Sequence, residues 1–248
     1  MKINKLLGRG EETPDFKAAL VIISFILLYS FFSSLFLFFY GKIFPASKNI
    51  DLLALAIINA FFVNLLLVIF IFQKFSRYLI PLFKKPTTYF VKGLYAYLAF
   101  LPALILITIS AYRFFKIAGL APQLQEIVLL YLDSDSTFLM LLVFFASCIV
   151  APLAEEVIYR GIIYRALKKR FSLSAAIIFS SLIFALFHGE VAGLPSIFFL
   201  GVLLAFLFEK YNNLWPSIGL HFFNNFFSNL ALLAVKFANL TDIQNTGL

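Results

Sequence analysis

Long apolar runs separated by short, Lys/Arg-rich connectors dominate the chain. They fall at about 17–40, 50–73, 89–112, 137–164, 172–188, 194–209 and 214–236. Each is close to the ~20 residues that a helix needs to cross the hydrocarbon core of a bilayer. No run alternates with a period of two, as a barrel strand must. Backbone groups in lipid need internal partners, so every run predicts a helix. The expected fold is all-α: a polytopic transmembrane bundle of about seven to eight helices with a polar cavity inside the membrane. Residues 1–16 read as a short tail, 17–236 as a single transmembrane domain and 237–248 as a second tail, and no internal repeat is visible.

Composition strengthens this picture. Hydrophobic residues make up 62% of 248, charged residues 13%, and the mean hydropathy is +0.98. A soluble domain could not hide that much apolar surface. The net charge of +8 raises nucleic acid as a partner, but the basic residues sit beside apolar runs, where membrane topology alone accounts for them. The expected partner is the bilayer, not nucleic acid. The single Cys148 excludes an intramolecular disulfide and a thiolate metal cluster. The first apolar run is too long for a signal peptide and lacks a small-residue cleavage pattern, so it reads as an anchor.

Charge placement predicts orientation. Lys2, Lys5, Arg9 and Lys17 precede the first run, and Lys74, Arg77, Lys84, Lys85 and Lys92 surround the connector after the second. Lys168, Lys169 and Arg170 follow the fourth run and Lys210 follows the sixth, whereas the alternate connectors hold only Lys42, Lys48, Arg113 and Lys116. This bias predicts a cytoplasmic N-terminus and an external C-terminus. The connector 117–136, with Pro122, Glu126, Asp133 and Asp135 around Ile127–Leu130, reads as an external loop. An interfacial helix or a lid over the cavity are the alternatives.

Against this background the polar residues of the apolar C-terminal half stand out, because ionisable groups are costly inside a membrane. Glu155 and Glu156 are adjacent. On a helix Glu156 and Arg160 stand at i and i+4 in the better order for an ion pair, while Glu155 is turned about 100° away. Adjacent acids in two environments can divide roles; the structural alternative is a salt-bridged helix end near water. His188 follows Phe184 by one turn and precedes Gly189, Gly193 and Pro195, which predict a break lining a polar cavity. His221 and Asn225 share a face at i, i+4, so they read as a hydrogen-bonding pair pointing out of a Phe-rich helix. Their structural alternative is interhelical hydrogen bonding, the role expected of Asn224 and Asn229.

Taken together and in order, Glu-Glu-x-x-x-Arg, Phe-x-x-x-His and His-x-x-x-Asn resemble the signature of the CPBP family, the CAAX-processing and bacteriocin-immunity (Abi-type) intramembrane endopeptidases. The resemblance covers about 155–225, with a family core of about 137–236. It implies hydrolysis of a peptide bond by a glutamate-activated water, with no cofactor. Glu155 then corresponds to the general base, holding water with His188; His221 and Asn225 correspond to oxyanion donors. Glu156, Arg160 and Phe184 correspond to supporting residues. The implied partner is a peptide or protein substrate, prenylated or not, from CAAX-type tails, leader peptides or bacteriocin-related substrates. The compact length points to a bacterial plasma membrane.

Three alternatives remain open on the residues alone: an inactive scaffold or regulatory partner of the same fold, a zinc-dependent intramembrane protease and a proton-coupled transporter. Two His and a Glu form an acceptable zinc set, although no His-Glu-x-x-His helix is present. Ser180, Ser181, Ser196 and Ser217 lack a nucleophile elbow. One geometric demand follows from the spacing. At 1.5 Å per residue Glu155 lies ~15 Å from the end of its run, whereas His188 lies ~24 Å and His221 ~12 Å from the start of theirs. Equal, straight helices would not bring them together. The fifth and sixth runs are therefore expected to be short or tilted around a broken 189–196 segment.

Overall fold

The computed structural model describes residues 15–43, 49–119, 136–188 and 191–238. The described chain is helical throughout: α1 (Phe16–Ile43), α2 (Asn49–Leu79), α3 (Pro86–Ile117), α4 (Thr137–Lys168), α5 (Leu173–Leu186), α6 (Leu194–Tyr211) and α7 (Trp215–Phe237). A 3-10 turn, Ile80–Phe83, links α2 to α3. Six of these helices contain stretches long and apolar enough to cross a membrane, and α5 is a shorter apolar helix. The chain is a multi-pass membrane protein. Tails 1–14 and 239–248, most of the connector 117–136, and Gly189 and Glu190 lie outside the described residues.

Helix boundaries follow local chemistry. Ser136 caps α4 by accepting from the Leu139 N–H, and Ser172 caps α5 by accepting from the Ala175 N–H; Pro86, Pro195 and Pro216 occupy first turns, where the missing N–H costs nothing. The expected helices are all present. Their ends differ from the apolar runs because polar first and last turns extend α2 and α3, whereas α5 closes after only fourteen residues.

Burial is uneven. Only 6% of the apolar window of α1 is inside the protein, and its exposed Phe and Leu side chains suit a lipid-facing helix. In α4, by contrast, every residue from Val157 to Tyr164 is buried, which makes this stretch the axis of the bundle. Helices α3 and α7 touch backbone to backbone: a Cβ on Gly93 would come within 2.3 Å of the Leu220 nitrogen, and one on Gly219 within 2.3 Å of the Phe90 carbonyl oxygen. Without a hydrophobic force between helices in lipid, such small-residue crossings supply the packing.

One end of the bundle gathers the basic connectors. The α6–α7 turn docks on the α2–α3 turn through Leu214 N–H to Leu82 O, Asn213 Nδ2 to Lys84 O and Trp215 Nε1 to Phe83 O. Lys168 pairs with Glu209, and the Arg170 guanidinium lies 4.5 Å over the ring of Phe16 at the start of α1.

Candidate active site

The two adjacent glutamates sit where the hydrogen-bond ladder of α4 changes register. The α-helical segment Ala151–Glu156 lies between two π-helical turns, Ala146–Val150 and Val157–Tyr164. Pro152 has no N–H to offer Cys148 O, so a regular ladder is interrupted there. In the first π turn the Ala151 N–H bonds to Ala146 O, one residue further back than in an α-helix. The Ser147 carbonyl that this releases accepts instead from Asn225 Nδ2 on α7, at 2.8 Å. Such π turns recur at functional sites. The sequence reading missed both; Pro152, four residues before Glu156, was the visible signal.

Glu156, Arg160 and His221 form the sealed floor of the cluster. Arg160 Nη1 donates to Glu156 Oε1 at 2.9 Å, the i, i+4 pair that the spacing predicts, and Nη2 donates to Gly201 O on α6 at 3.2 Å. The guanidinium lies 4.5 Å over the Phe184 ring. His221 Nδ1 stands 3.1 Å from the same Glu156 Oε1, and all three residues are at most 2% exposed. Gly201, another residue that sequence reasoning missed, admits this packing: a Cβ there would lie 3.1 Å from Ser181 Cβ and 3.3 Å from Phe184 Cδ1.

Glu155 points the other way, and although its side chain is partly exposed its Oε2 is buried and accepts no hydrogen bond among the described residues. That oxygen lies 3.8 Å from His188 Nε2 and 3.8 Å from His221 Nε2. His188 occupies the turn that closes α5, with Nδ1 2.8 Å from Phe184 O. The shortness of α5 answers the spacing problem, since His188 reaches Glu155 without a full-length helix before it. The break is also narrower than expected, because α6 already begins at Leu194. The His188 side chain is 32% exposed and Glu155 20%, against 3% for His221 and none for Glu156.

The outer nitrogens fix the chemistry of the inner ones. Phe184 O can only accept, and an ionised Glu156 beside Arg160 also accepts, so both Nδ1 atoms carry hydrogen. Each Nε2 is then a lone pair on a neutral ring or a second N–H on an imidazolium. Three groups converge that would all accept if both rings were neutral. The two Glu155–imidazole separations exceed a direct hydrogen bond, as they do where a water stands between the groups. Two imidazole nitrogens and a carboxylate oxygen are also a zinc-type donor set. Bonds of about 2.1 Å would require these atoms to be roughly 3.4 Å apart, and no group of three His, Cys, Asp or Glu among the described residues stands in metal-holding geometry.

Asn225 departs from the expected pairing. It does not bond to His221; its Nδ2 is held by Ser147 O and its Oδ1 accepts from Asn224 Nδ2 at 3.2 Å. Asn229 links helices, donating to Asn225 O and lying 3.7 Å from Cys148 Sγ on α4. The hydroxyls of Ser180, Ser181, Ser196 and Ser217 each donate to a carbonyl three or four residues back, so none is paired with a histidine.

Residues 137–227 match the family described as "Type II CAAX prenyl endopeptidase Rce1-like", a span that runs from the start of α4 well into α7. The chain is similar to the "Putative membrane peptidase YdiL" of Bacillus subtilis (strain 168), 34% identical over 86 residues. That match spans about a third of each protein, 35% of this chain and 35% of the relative. No solved structure matches. Through the α4–α7 segment that carries the Glu155–Glu156, His188 and His221 cluster, the chain is similar to the CPBP family.

Proposed function

We propose that this protein is an intramembrane endopeptidase that hydrolyses peptide bonds with a water activated by Glu155. The observation that carries the reading is the convergence of Glu155 Oε2 with His188 Nε2 and His221 Nε2, each at 3.8 Å, where the buried Oε2 accepts no hydrogen bond among the described residues. Water held between Glu155 and His188 gives a proton to Glu155 as it attacks the substrate carbonyl carbon. Glu155 then returns that proton to the departing amine. His221 stabilises the oxyanion in its imidazolium form, with Nε2–H donating and Nδ1–H held by Glu156. Asn225 joins it through the second hydrogen of Nδ2, the first staying on Ser147 O. Preorganised donors of this kind are each worth about 3 kcal/mol in a water-poor site.

The substrate class proposed is a membrane-anchored peptide or protein tail, for which the matched family's description supplies CAAX prenyl tails as the first candidate. The basic end of the bundle, where α1 begins beside Arg170, supports a cytoplasmic N-terminus; the membrane proposed is a bacterial plasma membrane.

The test is hydrolysis of peptide tails, prenylated and unprenylated, by the full chain in liposomes. Cleavage by the wild type and its loss in Glu155→Gln, with the helical fold retained, is the expected result. Full activity of Glu155→Gln would overturn the assignment, and no cleavage of any tail by the wild type would favour a scaffold. Zinc is the second reading, supported by the donor set around Glu155 Oε2; stoichiometric metal with chelator-sensitive activity would select it over a metal-free site.

A further inference from the structure

A second feature lies at the basic end of the bundle, on α3 and α6, and stands independently of the peptidase reading. Lys92 Nζ sits 4.6 Å over the Tyr89 ring and 4.4 Å over that of Tyr211, while Lys210 Nζ is 5.5 Å from the same Tyr211 ring. The two tyrosines pack edge to face at 5.8 Å. Two ammonium groups thus flank one aromatic ring. Attraction to the ring quadrupole holds each of them there, but their charges repel and no carboxylate among the described residues offsets them.

Among the described residues neither lysine makes an ion pair, nor do Lys84 and Lys85 on the neighbouring turn. Glu209, the acid nearest in sequence, is already engaged by Lys168 and the Tyr164 hydroxyl. The patch therefore carries positive charge that no carboxylate among the described residues neutralises.

What surrounds the patch identifies what would neutralise it. One turn along α3 from Lys92, Tyr95 is exposed, with Leu98 exposed beyond it; one turn back along α6 from Lys210, Phe206 is exposed. Cationic heads set directly against outward apolar side chains match a molecule with an anionic head and hydrocarbon tails. Tyrosine rings at this level are ordinary interfacial anchors, and basic pockets between membrane helices bind lipid headgroups.

We propose that Lys92, Lys210, Tyr89 and Tyr211 form a docking site for the phosphate headgroup of an anionic membrane phospholipid, whose acyl chains run along α3 and α6. The phosphate bridges the two ammonium groups and removes their mutual repulsion, fastening the α6–α7 turn to the start of α3.

The experiment measures retention of phosphatidylglycerol and phosphatidylcholine on the purified full chain by native mass spectrometry, for the wild type and for Lys92→Gln/Lys210→Gln. The wild type is expected to retain phosphatidylglycerol preferentially. The double variant should lose about thirtyfold in affinity, each lysine contributing about fivefold. Lys92→Arg/Lys210→Arg should keep it. Equal retention of the two lipids by the wild type, or unchanged phosphatidylglycerol affinity in the double variant, would overturn the proposal. So would displacement of the lipid by equimolar inorganic phosphate, which would make the site one for the free anion. Should the Gln variant fail to fold, the wild type decides through salt: phosphatidylglycerol retention must fall between 0.1 and 1 M NaCl, roughly the range over which the screening length drops from about 10 to 3 Å, while phosphatidylcholine retention stays constant.

Discussion

Glu155 and Glu156 are adjacent in sequence, carry the same side chain and occupy the same helix, yet the bundle treats them as opposites. Glu156 is fully buried, with Arg160 and His221 both on one of its oxygens. Glu155 is partly exposed and meets two imidazole nitrogens, neither closer than 3.8 Å. A rotation of about 100° per residue separates them, and that single step divides a carboxylate paired with Arg160 from one whose Oε2 accepts no hydrogen bond among the described residues. His221 touches both, with Nδ1 on the sealed acid and Nε2 on the open one. It therefore bridges the two acids.

This contrast can be broken from either side. The largest effect is expected from Glu155→Gln, which should lower the rate of cleavage by about 10²–10⁴-fold with little change in the unfolding midpoint in detergent. If Glu155→Gln unfolded the protein as readily as a change at the floor, the division between the two acids would be wrong. The converse substitution is Arg160→Met. It leaves Glu156 buried without its cation and should cost about 3–5 kcal/mol of stability, read as a large fall in the midpoint of thermal or denaturant unfolding.

Asn225→Ala tests a residue that works between the two zones. Removing the amide should reduce the turnover rate by about a hundredfold, the worth of one oxyanion donor, and should also free the Ser147 carbonyl in the π turn. A loss of stability without a change in turnover per folded molecule would assign Asn225 to helix packing instead. The smallest effect is expected at Glu209→Gln. This acid also meets a cation and a tyrosine hydroxyl, but it is paired at the exposed end of the bundle with Lys168, where an ion pair contributes at most about 1 kcal/mol. Unfolding midpoints for the Arg160 and Glu209 variants, measured side by side, give the ratio of buried to exposed pairing directly.

Much of the site was legible in the chain because its residues are chemically conspicuous. A carboxylate pair, an arginine and two histidines stand out against Phe and Leu, and the i, i+4 rule alone brings Glu156 to Arg160. The register of α4 was hidden. A π turn needs only one residue more than an α turn and leaves no change in hydrophobic pattern. The release of Ser147 O toward Asn225 therefore could not be read from 146–150, although Pro152 warned of a break. Gly201 was equally silent: as one glycine in an apolar run, its carbonyl and its missing Cβ acquire meaning only beside Arg160 and Phe184.

Expected pairings failed for the same reason. His221 and Asn225 do share a face, but a shared face sets only which way two side chains point. Partners come from other helices, and here α4 offers a carboxylate to one and an unladdered carbonyl to the other.

By itself the sequence determined that this is a helical membrane protein and which polar groups its apolar C-terminal half must accommodate, because hydrophobic length and the cost of burying charge act residue by residue. Tertiary structure alone decided which glutamate is sealed and which is open, which nitrogen of each histidine faces inward, and that a fourteen-residue α5 brings His188 level with Glu155. Those outcomes depend on helix length, register and crossing, which arise only when helices distant in the chain pack against one another.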